Sequence, residues 1–189
     1  IFGYNLKQHR KEILSNTGAV IERPDLYKYL TAYETLHLFA QMSGVKIPRL
    51  KLIEQLEMVG LASRAHSKVR TFSQGMKQRL GLAVALVHNP QLIMLDEPTN
   101  GLDPQGIADI RNLILMLSQK MNKTILVSSH LLSEVEQIAN RMLIIDKGQK
   151  LVEGTVNELF NPDDTVVFLE TTDNAACEGM LAESSYALQ

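Results

Sequence analysis

An α/β fold with a mostly parallel core sheet is predicted for this chain, and three observations predict it. Short apolar runs, Leu92-Ile93-Met94-Leu95 above all, are bounded by breakers and read as strands buried on both faces. Between them lie stretches with apolar residues at helical spacing, opened by capping residues and closed by glycine. The third observation is chemical. Asp96 and Glu97 stand at the carboxyl end of the central run, where open α/β sheets bind ligands, and Pro98 stops the strand behind them. Adjacent strand residues point to opposite faces, so the two carboxylates have different work. One can hold a hydrated Mg²⁺ while the other polarises a water, the division that nucleotide hydrolysis needs.

Bulk properties narrow the classes. The 189 residues suffice for one ordinary α/β domain with a core. A net charge of −2 gives no electrostatic case for nucleic acid or an acidic membrane. No apolar run approaches the roughly 18 residues of a membrane span. The opening Ile1-Phe2-Gly3-Tyr4 lacks the basic start of a signal peptide. Cys177 is the one cysteine, which excludes an internal disulfide and suits a reducing compartment.

Taken in order, Ile1 to Leu6 reads as the tail of a strand, and Lys7 to Leu14 as a short charged helix. Thr17 to Glu22 is the next strand, ended by Arg23-Pro24-Asp25. Thr31-Ala32-Tyr33-Glu34 is a capping box, so a helix starts there, carries Leu36, Phe39 and Ala40 inward, and stops at Gly44. Pro48 opens a second helix, closed at Gly60. Ser73 caps a third that runs to about Val87, with Leu80, Ala83, Val84 and Val87 inward. After the central strand, Asp103 with Pro104 opens a helix with Ile107, Ile110, Ile114 and Leu117 on one face. Thr124 to Ser128 is a strand, and Ser133 with Glu136 reads as a capping box for the helix after it. Met142 to Asp146, the turn Lys147-Gly148-Gln149 and Leu151 to Thr155 form a hairpin. From Pro162 the pattern changes, with a strand expected over Thr165 to Glu170 and a helix over Ala175 to Leu181.

Three further words stand in fixed order around Asp96-Glu97-Pro98. Phe72-Ser73-Gln74-Gly75-Met76-Lys77-Gln78-Arg79 lies upstream; Gly101-Leu102-Asp103-Pro104 and Val127-Ser128-Ser129-His130 lie downstream. Together they resemble the signature motif, Walker B strand, D-loop and switch histidine of an ABC-type ATPase domain, and the resemblance covers nearly the whole chain. The run Val20-Ile21-Glu22-Arg23-Pro24 through Leu26-Tyr27 to Leu30-Thr31-Ala32 is similar to exporters of bacitracin, lantibiotics and related peptides, which carry glutamate where other members carry the Q-loop glutamine. The signature departs from the usual Leu-Ser-Gly-Gly-Gln: Phe72, Gln74 and Met76 replace its first, third and fifth letters, while Ser73 and Gly75 remain.

The resemblance implies a P-loop NTPase-like sheet with a helical subdomain at about 31–88, an ATPase domain over 1–161 and the start of a C-terminal extension at 162–189. It implies ATP and Mg²⁺ as cofactors. Glu97 is the expected general base, Asp96 the metal carboxylate, Glu22 the link between metal, water and the docking loop, and His130 the γ-phosphate contact. Ser73, Gln74, Gly75 and Asp103 are expected to meet ATP across a dimer interface. The implied partners are a transmembrane permease, touched by Tyr27, Tyr29 and Leu30, and a second ATPase subunit; no nucleic acid is expected. The implied place is the cytoplasmic face of the cell membrane. Plainer readings exist beside these: Ser73 and Asp103 as helix caps, His130 as a structural histidine, the tyrosines as loop anchors.

No Gly-x-x-x-x-Gly-Lys-Ser/Thr run occurs in the 189 residues. The sequence therefore reads as an N-terminally truncated ATPase, with a degenerate, non-hydrolysing subunit as the alternative. A non-transport ABC ATPase acting on DNA or ribosomes is the runner-up in function; the chain shows neither a long heptad run nor a second ATPase domain.

Overall fold

The structure, a computed structural model, describes residues 1–22 and 24–160. Two compact units divide the chain, residues 1–139 and 140–189.

The first unit is built on three parallel strands, β1 (Thr17–Val20), β2 (Leu92–Asp96) and β3 (Thr124–Ser128), in the order β1-β2-β3. Parallel neighbours need crossover connections, and helices supply them. α1 (Arg10–Ser15) precedes β1; α2 (Ala32–Met42), α3 (Arg49–Met58) and α4 (Gln74–Leu86) join β1 to β2; α5 (Pro104–Gln119) joins β2 to β3; α6 (Leu132–Ile138) follows.

The caps explain where helices start. Thr31 Oγ1 accepts from the Glu34 amide at 3.1 Å and the Thr31 amide donates to Glu34 Oε2 at 2.7 Å, the reciprocal pair expected of a capping box. Ser73 Oγ accepts from the Met76 amide at 3.3 Å, and Asp103 Oδ1 from the Gly106 amide at 3.0 Å, with Pro104 at the first helical turn. Gly60, at φ 69°, turns the chain out of α3.

Leu36, Leu52, Leu56, Leu80, Leu82, Ile93, Leu95, Ile110 and Leu117 belong to one buried cluster, so the helical segment and the sheet share a core. Two glycines let α4 lie close on β1 and on the loop after it. A Cβ on Gly18 would run into the Ala85 carbonyl oxygen, and one on Gly81 would sit 2.6 Å from Pro24 Cβ.

Several sequence expectations are corrected. Ile1 to Leu6 is no strand: the Tyr4 amide turns back to the Ile1 carbonyl at 2.9 Å, and Phe2 and Gly3 take φ of 54° and 77°, outside the extended region. The following helix starts at Arg10, after turns closed on Asn5. β1 ends at Val20, and Glu22 has φ 52°, so the carboxylate stands in a turn beyond the strand. Among the described residues, β2 is covered on one face only. Ile93 and Leu95 are buried under the shared core, whereas Met94 is exposed, in register with exposed Ala19 and Leu126. Val84 and Ile107 are half-buried, and Leu113 joins the buried face of α5. Ser133 and Glu136 form no capping box, because α6 starts two residues earlier than that reading: Leu131 is its N-cap, and the Leu131 amide donates to Ser129 Oγ at 3.1 Å.

In the second unit, β4 (Arg141–Asp146) and β5 (Gln149–Thr155) form an antiparallel hairpin with a register shift at Ile144/Ile145. Lys147 and Gly148 have φ of 47° and 78°, as the two central residues of a tight hairpin turn require. Thr155 and Glu158 form a capping box for α7 (Val156–Leu159), a signal the sequence reading passed over. The strand expected over Thr165 to Glu170 and the helix over Ala175 to Leu181 lie outside the described residues.

Candidate functional site

The carboxyl edge of the sheet gathers four residues. Strand register sets Asp96 of β2 beside Ser128 of β3. Ser128 Oγ donates to Asp96 Oδ1 at 2.5 Å. The Glu97 amide points back to Ser128, 3.2 Å from its carbonyl oxygen and 3.2 Å from Oγ. Glu97 takes φ 46°, a left-handed conformation uncommon outside glycine, asparagine and aspartate. The chain leaves the strand sharply there, and the Glu97 carboxylate reaches the His130 ring, Oε2 to Nδ1 at 2.8 Å. The His130 side chain is 63% exposed and that of Glu97 29%, so the pair faces open space. Thr99 Oγ1 donates to Glu134 Oε2 at 2.5 Å, tying the loop after Glu97 to α6.

A second cluster lies where α4 meets the loop before α5. Ser73, Gln74, Gly75, Arg79, Gly101, Leu102 and Asp103 line a cavity of about 330 Å³. Gln74 Nε2 donates to the Asn100 carbonyl at 3.3 Å, and Gly101, at φ 72°, leaves that amide room: a Cβ there would lie 2.7 Å from Gln74 Nε2. Arg79 Nη1 stands 3.5 Å from Asp109 Oδ2, and Gln105 Nε2 donates to Asp109 Oδ1 at 2.9 Å.

Of the residues singled out in the sequence, Asp96 and Glu97 come together through Ser128, and His130 joins them by its direct contact with Glu97. Ser73, Gln74, Gly75 and Asp103 come together in the cavity. Glu22 makes no hydrogen bond or ion pair to either cluster among the described residues. Sequence reasoning missed Ser128, Thr99, Arg79 and Asp109 as participants. A serine closing an otherwise apolar strand was the available signal for Ser128.

Among the described residues no group of three or more His, Cys, Asp or Glu could cage a metal. Asp96 fits a different mode. Its Oδ2 accepts no hydrogen bond among the described residues, and a single carboxylate with waters and phosphate oxygens is the usual Mg²⁺ arrangement in phosphoryl-transfer sites.

Comparisons with known proteins bear on the family and the fold. The profile of the ABC transporter family matches residues 2–100. The bacitracin transport ATP-binding protein BcrA of Bacillus licheniformis is 48% identical over 153 residues, covering 81% of this chain and 50% of that protein. BcrA of Enterococcus faecalis is 39% identical, covering 98% and 60%. The lantibiotic transport ATP-binding protein SrtF of Streptococcus pyogenes is 43% identical, covering 78% and 66%. The chain thus spans 50% to 60% of the length of the two bacitracin relatives. Among solved structures, an ATP-binding subunit of an ABC transporter superposes with a TM-score of 0.70 at 30% identity, covering 84% of this chain and 67% of that one. The ATP-binding cassette MJ0796, a dimer bound to ADP and Pi, superposes at 0.69 with 26% identity, covering 82% and 68%. A parallel α/β sheet with paired carboxylates at its edge, a capped signature helix and these likenesses place the chain in the ABC transporter family.

Proposed function

We propose that this chain is part of the ATP-hydrolysing subunit of an exporter for peptide antibiotics or similar amphiphiles, working on the cytoplasmic face of the membrane with a permease and a second ATPase subunit. The observation that carries the proposal is the Glu97–His130 pair at 2.8 Å beside the Asp96–Ser128 contact. The likeness to bacitracin and lantibiotic transport proteins supports the substrate class.

Glu97 acts as general base. It takes a proton from the attacking water as the water oxygen bonds to the γ-phosphorus and the bond to the β-phosphate oxygen breaks, releasing ADP. His130 aims that carboxylate. A carboxylate only accepts hydrogen bonds, so Nδ1 is the donor in this contact. Asp96 would hold Mg²⁺, which when bound supplies charge neutralisation for the phosphates. Ser73, Gln74, Gly75 and Asp103 line the face that meets the nucleotide of the second subunit. Glu22, in its left-handed turn, is the carboxylate on the loop that leads to the permease. Tyr29, 82% exposed, is better placed for docking than Tyr27, which packs near the Phe39 ring at 6.5 Å.

The test is Glu97→Gln in the whole ATPase. ATP binding should persist while turnover falls roughly a hundredfold or more, the contribution typical of a positioned general base. Turnover unchanged by the substitution would remove Glu97 from the role.

A further inference from the structure

We propose that Ser128 is a positioning residue for ATP hydrolysis, setting the metal carboxylate and the general base together through one hydroxyl. The inference rests on the ATPase reading above.

A serine hydroxyl has one proton and two lone pairs. Here the Glu97 amide is shared between Ser128 Oγ and the Ser128 carbonyl oxygen, each at 3.2 Å, so the hydroxyl oxygen accepts from that side together with the backbone. Its proton is committed to Asp96 Oδ1, at 2.5 Å. The result is a directed chain, amide to hydroxyl to carboxylate, in which each bond polarises the next. It has two consequences. Asp96 is tethered to β3 through one oxygen, and Oδ2, which accepts no hydrogen bond among the described residues, would be the atom to hold Mg²⁺. Glu97 takes φ 46°, a conformation that costs free energy for a side chain of this kind; the hydroxyl adds to the backbone carbonyl's hold on that turn, which directs the carboxylate to His130. The neighbouring Ser129 makes no hydrogen bond to either carboxylate among the described residues; its Oγ accepts from the Leu131 amide at 3.1 Å. Ser128 is exposed at the strand end, which leaves room for a methyl group and makes threonine an admissible replacement.

The experiment compares Ser128→Val, which keeps the shape of threonine without the hydroxyl, with Ser128→Thr in the whole ATPase. The readouts are turnover and ADP affinity by calorimetry, with Mg²⁺ and with the metal chelated. Second-sphere partners of metal ligands typically carry a tenfold to hundredfold effect. Valine should leave metal-free ADP affinity unchanged, reduce the gain in affinity that Mg²⁺ brings by about tenfold, and lower kcat more than it changes KM. Threonine should restore both. If valine lowers the thermal midpoint, Ser128→Ala serves in its place under the same expectations. A valine variant with the unsubstituted protein's Mg²⁺ gain and turnover, or a threonine variant as impaired as valine, overturns the proposal. An unsubstituted protein that binds ADP but never hydrolyses ATP overturns the hydrolytic reading, which is a separate result from a working ATPase indifferent to residue 128.

Discussion

Glu34 illustrates how a single side chain can be read in charge as well as in place. The Thr31 backbone amide, then the Thr31 hydroxyl, hold its carboxyl below the ordinary 4.5, and Lys68 and His66 add smaller effects of the same sign. A lowered folded-state value means the carboxylate supports α2 fully above pH 4.5 and loses that support as pH falls through the lowered value. Glu34→Gln keeps a capping side chain without a titration. The thermal midpoints of the two proteins should therefore differ at neutral pH and converge in acid. A difference that stays constant with pH would show that the Glu34 charge contributes nothing. At the same scale, Ser73 and Asp103 are helix caps in the structure, and both also line the cavity beside the signature. One residue can serve both purposes because the cap uses the side-chain oxygen as acceptor and leaves the Ser73 hydroxyl proton to point elsewhere.

Elements are seated by contacts that reach across the chain. α4 carries the signature at its start, and its far end presses on β1 at Gly18. Gly18→Ala would push a methyl group into the Ala85 carbonyl, and backbone cannot swing aside as a long side chain does. Overpacking of this kind typically costs about 1–3 kcal/mol, read as a lower denaturant midpoint. An unchanged midpoint would mean α4 is not held against β1 as described. Such contacts mark the limit of what the text of the sequence conveyed. The starts of α2, α4 and α5 were legible from Thr31, Ser73 and Asp103, because caps act over three residues. The start of α6 was misread at Ser133, since Ser129 and not Ser133 meets the chain before the helix. The first residues read as the tail of a strand, and nothing in their local sequence reveals the left-handed turn at Phe2 and Gly3.

Across the first unit, one core joins the helical segment to the sheet, so damage in either should be felt as loss of the whole. Leu56 and Leu50 lie on the same helix, α3, at 0% and 69% exposure. Leu56→Ala should cost about 2–5 kcal/mol, against about 0.5 kcal/mol or less for Leu50→Ala, measured by chemical denaturation. Equal costs would mean that α3 does not bury the face assigned to it.

By itself the sequence located β1 to β5, though not all their ends and with a false strand at Ile1 to Leu6, and it determined most of the helix starts and the family, through the order of its motifs and through interactions between residues three or four apart. Only the tertiary structure decided that Ser128 lies between Asp96 and Glu97, that His130 meets Glu97, and that Gln74 reaches the loop at Asn100. Those partners are 32, 33 and 26 residues apart for Asp96, Glu97 and Asn100 respectively. A separation of that length carries no local periodicity, and the contacts exist because strand register and helix packing close the intervening chain.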